Sequence, residues 1–132
     1  MTAVEIVAAL FVESIDMRQV PGPSTRIDLL GVMFSLQAPE PPPVTVAPHL
    51  VVIVREAMDG TGQASLITEF VRVSDGEQIA RNVQMVAVEP GKFGRQLVRG
   101  ELDFADYGTI EARCRLNDGG HVVTVPLTLL QA

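Results

Sequence analysis

The chain has 132 residues, a net charge of −6, 47% hydrophobic residues and a single cysteine. That length makes one domain over residues 1–132, enough to bury a core without disulfides or metals. Nine arginines and one lysine, scattered without a cluster, exclude a basic nucleic-acid face, and the acidic balance disfavours anionic membrane surfaces.

The opening run, 3–14, reads as a strand. Glu5 within it and the lack of a basic leader argue against a signal peptide, and no apolar run is long enough to span a bilayer, so a cytoplasmic protein is expected. Pro21-Gly22-Pro23 separates this run from a strand at 26–37. Pro39 and Pro41-Pro42-Pro43 then read as an extended crossover to a strand at 48–57; a ligand for a proline-reading domain is the alternative for the triple proline. Asp59-Gly60-Thr61-Gly62, Ser74-Asp75-Gly76 and Pro90-Gly91 end strands at 48–57, 64–73 and 77–89. Within 77–89, Ile79, Val83, Val86 and Ala87 have helical spacing, but the stretch also reads as strand from Val83 and stops at Pro-Gly, so a strand is expected.

Three more strands follow at 95–104, 108–117 and 121–130. The last two alternate cleanly: Ile110, Ala112, Cys114 and Leu116 lie opposite Glu111, Arg113, Arg115 and Asn117, and Val123, Val125, Leu127 and Leu129 share one face beyond the Asp118-Gly119-Gly120 turn. This is a half-buried hairpin. Pro126 cannot donate to a ladder, which puts that strand at an edge. The rhythm of the breaks predicts an all-β antiparallel sandwich of about seven to nine strands, immunoglobulin-like or C2-like in layout, with little or no helix.

The first three strands carry apolar residues on both faces. In 3–14, Val4, Ile6, Ala8, Leu10 and Val12 lie opposite Val7, Ala9 and Phe11. In 26–37, Leu29 and Met33 lie opposite Leu30, Val32, Phe34 and Leu36, and in 48–57, Leu50, Val52 and Val54 lie opposite Val51 and Ile53. With no helices to cover a second apolar face, the expectation is a protein interface formed by Val7, Ala9, Phe11, Leu29 and Met33, used for homo-oligomerisation or for a dedicated protein partner. The competing reading lays a loop of the same chain across it.

Nothing in the chain specifies a reaction. Cys114 sits on an apolar strand face, as a small core residue does. His49 and His121 stand alone, with no metal-ligand spacing, and none of Ser14, Ser24, Ser35, Ser65 or Ser74 lies in a nucleophile elbow. No catalytic residue and no cofactor is assigned, and the expected function is non-enzymatic. The alternative is a Ca²⁺- or ligand-binding sandwich using the loop-tip carboxylates Asp16, Asp59 and Asp118, which an up-and-down count brings to one end; Asp75 and Asp106 fall at the other.

Asp106-Tyr107-Gly108-Thr109-Ile110 resembles the lead-in to the sixth strand of immunoglobulin-type domains, but Ile110 and Ala112 stand in the tyrosine and cysteine positions and the chain has no Trp. The tyrosine corner and the disulfide–tryptophan pin are both missing, and a true immunoglobulin domain is not expected. The order of features along most of the chain is similar to a family of uncharacterised bacterial β-sandwich domains. Those features are Ile27-x-Leu29-Leu30-Gly31, a proline crossover, a strand at His49–Arg55, Asp75-Gly76, Leu102-x-Phe104 with Gly108, and Val125-Pro126-Leu127. The resemblance implies a compact sandwich of bacterial, cytoplasmic origin and no particular activity.

Overall fold

A computed structural model describes residues 4–19, 25–56, 63–117 and 121–131. Its elements are all strands: β1 (Val4–Val12), β2 (Ser14–Gln19), β3 (Thr25–Leu30), β4 (Ser35–Gln37), β5 (Val44–Val46), β6 (His49–Glu56), β7 (Gln63–Arg72), β8 (Gln78–Ala87), β9 (Phe93–Arg99), β10 (Leu102–Phe104), β11 (Gly108–Leu116) and β12 (Val123–Leu130). Among the described residues, no helix is long and apolar enough to cross a membrane.

Two sheets face each other. One has the order β1-β6-β9, the other β4-β12-β11-β7-β8. All pairings are antiparallel except that of β4 with β12. From β6 onward the chain crosses between the sheets after β6, after β8 and again between β9 and β11, which gives the layout of an immunoglobulin-type sandwich. Between the sheets lie Phe11, Leu50, Val52, Leu66, Phe70, Leu102, Ile110, Ala112, Leu127 and Leu129, all buried. Each large aliphatic or aromatic side chain so buried contributes about 1.5–3 kcal/mol, and together they hold the sheets face to face. The short pair β5–β10 closes one end.

The alternation in 108–117 and 121–130 survives intact, because β11 and β12 pair in one register from Gly108–Leu129 to Cys114–Val123. Pro126 has a more limited edge position than expected. The amide of Thr128 donates to the Phe34 carbonyl on the β4 side, and residues two apart in a strand direct their amides to the same side. The nitrogen of Pro126 therefore faces that side too, but β4 pairs only with Thr128–Leu130, so no ladder bond is lost.

The first strand departs from simple alternation. Its register against β6 shifts between Ile6 and Ala8, leaving Val7 in a β-bulge. A bulge moves every later side chain to the opposite face. Val4 and Ile6 face the core as read, but beyond the bulge it is Ala9 and Phe11 that enter it, while Ala8, Leu10 and Val12 point outward.

The runs 3–14 and 26–37 also break, at Glu13 and around Gly31. The pieces Ser14–Gln19 and Thr25–Leu30 form a separate hairpin, β2–β3. Its strands carry Ile15, Met17, Ile27 and Leu29 on one side and Asp16, Arg18, Arg26 and Asp28 on the other. Arg95 projects from the outer side of β9, and its Nε donates to Met17 Sδ at 3.1 Å, so the hairpin lies over the outer face of β1-β6-β9. Beneath it Val12 and Val51, both outward-facing, are fully buried. The apolar second face read from the sequence exists, and the chain's own hairpin reaches over part of it, leaving Leu97 of β9 40% exposed.

Candidate functional site

The apolar sheet face that the described residues leave open belongs to the other sheet. On the outer side of β7 and β8, Ser65 pairs with Met85, Ile67 with Val83 and Glu69 with Arg81. Across the other flank of β7, Ile67 pairs with Arg115, Glu69 with Arg113 and Val71 with Glu111. Met85 is 70% exposed, and Val83 and Val73 are each 51% exposed, yet Ile67 and Val71 between them are only 3% and 5% exposed. Val83 and Met85 are thus successive outward residues of β8 beside buried Ile67, while Val73 lies past the end of β7, on the far side of the Glu69–Arg81 pair. The Ser65 hydroxyl donates to Met85 Sδ at 3.4 Å, across the β7–β8 pairing.

A charged stripe borders this patch on β11. Arg115 pairs with Glu69, and Arg113 Nη2 lies 3.2 Å from Glu111 Oε1. Such pairs are worth little in stability. They place Arg115 beside Ile67 and Glu111 beside Val71 in the register, so the buried aliphatic pair is flanked by charged side chains.

A second feature is a cleft of about 270 Å³ at the end of the sandwich, lined by Arg72, Asp75, Asp103, Phe104, Asp106 and Tyr107. Its charges are already engaged. Arg72 Nη1 contacts Asp75 at 3.0 Å and Glu77 at 2.9 Å, the Thr45 hydroxyl donates to Asp103, and Asp106 accepts from the Tyr107 amide. The Glu77 amide and the Arg72 guanidinium hold the Asp75 carboxyl below its usual range, and Asp75 in turn raises Arg72.

The structure separates the interface residues read from the sequence. Phe11 is 0% exposed and Ala9 is buried beside it; the bulge at Val7 puts both in the core, which corrects their assignment to an outer face. Met33 bridges to Phe11 and packs half-buried against the core, and Leu29 is half-buried on the hairpin. Val7 alone of the five is exposed. Of the loop-tip carboxylates, Asp16 lies on the solvent side of the hairpin, opposite Asp28. Asp59 and Asp118 lie outside the described residues.

Among the described residues no three His, Cys, Asp or Glu side chains gather as a metal group. Cys114 is buried between the sheets, and burial pushes its thiol up to about 11.

The β7–β8 patch was not singled out from the sequence, although its signal was there. In Leu66-Ile67-Thr68-Glu69-Phe70-Val71 both parities carry aliphatic residues, the mark of a strand apolar on two faces.

No protein-family model and no curated protein sequence matches the chain. Among solved structures, the chain is similar to the β-glucosidase from Listeria innocua determined in complex with isofagomine, with a TM-score of 0.55 and 11% identity. The match covers 94% of this chain and 16% of that chain. At that identity the likeness concerns the fold: the sandwich corresponds to one part of a much longer protein.

Proposed function

We propose that this domain is a non-enzymatic interaction module that self-associates through the outer face of β7 and β8. The observation that carries the reading is the neighbouring pair Val83 and Met85, each at least half exposed on the outer side of β8, beside buried Ile67. Exposed apolar side chains on an open sheet face are a surface that association would remove from water.

A second copy is the partner because the face suits its own image. In a two-fold pairing each residue of the patch meets a residue of the same patch. The apolar half of β8 and the neighbouring charges of both signs, Arg81, Arg113 and Arg115 with Glu69 and Glu111, provide attractive pairings on both sides of such an axis. The reading also puts the module in the cytoplasm, where a lone buried thiol in place of a disulfide framework is the common pattern.

The test replaces Val83 and Met85 with glutamate, singly and together. Loss of the assembly with an unchanged far-UV spectrum supports the reading. An assembly indifferent to both changes, or a native chain that is monomeric throughout, contradicts it.

A further inference from the structure

We infer that the β2–β3 hairpin is a hinged arm that exchanges between two copies of the chain, each arm covering the outer face of β1-β6-β9 in the other. This concerns a different surface from the β7–β8 face and does not depend on it.

The first observation is that the arm stands apart from the core. The core cluster and the half-buried residues packed against it include Phe11 on one side and Met33 on the other, but none of the described residues between Ser14 and Leu30. The arm's inward residues Ile15, Ile27 and Leu29 are half-buried, and Met17 is more exposed than buried. The surface beneath has the opposite character. Val12 and Val51 are fully buried although they point away from the core, so the face needs a cover. A weakly held element over a surface that must stay covered is a unit that opens on its own.

The second observation is the joint. The Phe11–Met33 bridge and the Ser14–Leu30 pair lie in one unbroken antiparallel register, with two residues between them on each strand. β1 with β2, and β3 with Met33, are therefore two lengths of a single ribbon folded over at Glu13 and Gly31. The Glu13 amide reaches both the Leu30 carbonyl at 3.0 Å and the Gly31 carbonyl at 3.1 Å. Gly31 takes φ of 67°, a conformation that L side chains rarely adopt. Straightening this joint swings the arm out without slipping the register of its own strands.

Once the arm is out, the surface complementary to Val12, Val51 and Arg95 is the arm of a second copy. Every contact of the closed chain is then remade between copies, and only the joint changes. Short, conformationally demanding hinges are where such exchange occurs.

The test uses the full chain with Met17→Cys and Arg95→Cys, whose native side chains touch, and a short bismaleimide. Cys114 is buried with a raised pKa and does not compete. A link within one chain runs as a monomer on a denaturing gel; a link between exchanged copies runs as a dimer. Gly31→Val disfavours the folded-over joint, so the proposal predicts dimer links that rise with protein concentration, about tenfold above the same chain with Gly31. Monomer links alone in both backgrounds, or loss of all links in Gly31→Val, overturns it. If Gly31→Val does not fold, the native joint decides: dimer links growing with concentration support exchange, and monomer links at every concentration refute it. The link reports on the arm alone, so its failure leaves the β7–β8 reading untouched.

Discussion

The Met17 thioether accepts a hydrogen bond from Arg95 Nε at 3.1 Å, joining residues 78 positions apart in sequence. This contact draws a hairpin from near the N-terminus across a sheet edge and resolves why β1 and β6 are apolar on both sides. The strands are sandwiched twice, once by the opposite sheet and once by the arm. A surface that would otherwise invite a partner is thereby partly occupied by the chain itself, and the most exposed outward apolar pair is Val83 and Met85 on β8.

Phe11→Ala is expected to destabilise the fold by about 3–5 kcal/mol, because it removes an aromatic ring from a closed core. Val7→Ser, at the exposed bulge two turns of the pleat away, should change stability by no more than about 0.5 kcal/mol. Chemical denaturation of both variants checks the pair. Equal losses would mean that the phase of β1 is not as described.

Thr68 is fully buried on β7 opposite Cys114, whose thiol is at best a weak partner for its hydroxyl, and no hydrogen bond of ordinary geometry reaches that oxygen among the described residues. An unpaired buried hydroxyl costs about 1–3 kcal/mol, and valine has nearly its shape. Thr68→Val should therefore leave the melting temperature unchanged or raise it. A clear loss would show that the hydroxyl is satisfied in solution.

Cys114 gives a prediction at high pH. Burial holds its folded pKa near 11, above the ordinary value of 9.0, so the unfolded chain loses this proton first. The contribution to stability is complete below pH 9.0 and is lost as pH rises through about 11. Cys114→Ala should flatten the stability profile across that window. An identical alkaline limb in both proteins would contradict it.

Asp75 gives the acid counterpart. Its folded pKa is lowered by the Glu77 amide and by Arg72, so its contribution is present above 3.8 and lost as pH falls below it. Asp75→Asn should weaken the acid dependence of stability, measured by titrating the melting temperature downward from neutral pH.

Much of this architecture was legible in the sequence. Turns at Ser74-Asp75-Gly76, Pro90-Gly91 and Tyr107-Gly108 end or begin strands where read, and Gly76, Gly91 and Gly108 all take positive φ. The strands read at 48–57, 64–73, 77–89, 108–117 and 121–130 correspond to β6, β7, β8, β11 and β12. Three long runs, however, divide. Those at 3–14 and 26–37 break at Glu13 and Gly31 because the two residues face each other across one ribbon and bend together, a pairing invisible in either run alone. The run at 95–104 breaks at Gly100, where a Cβ would lie 3.1 Å from the Phe70 ring. β5 is short and hidden among the prolines that precede it. Ala9 and Phe11 were placed on the wrong face for one local reason: the bulge at Val7 is silent in a continuous apolar sequence, and it alone decides which side Phe11 takes. Leu29 and Met33 part company because the 26–37 run breaks at Gly31.

The most direct test of the account is the solution mass of the native chain and of the Val83→Glu/Met85→Glu variant, by light scattering on a sizing column at two concentrations. The account predicts a native species larger than the 14.2 kDa monomer and a folded, monomeric variant. A native monomer at both concentrations, or a variant that assembles as the native chain does, would contradict it.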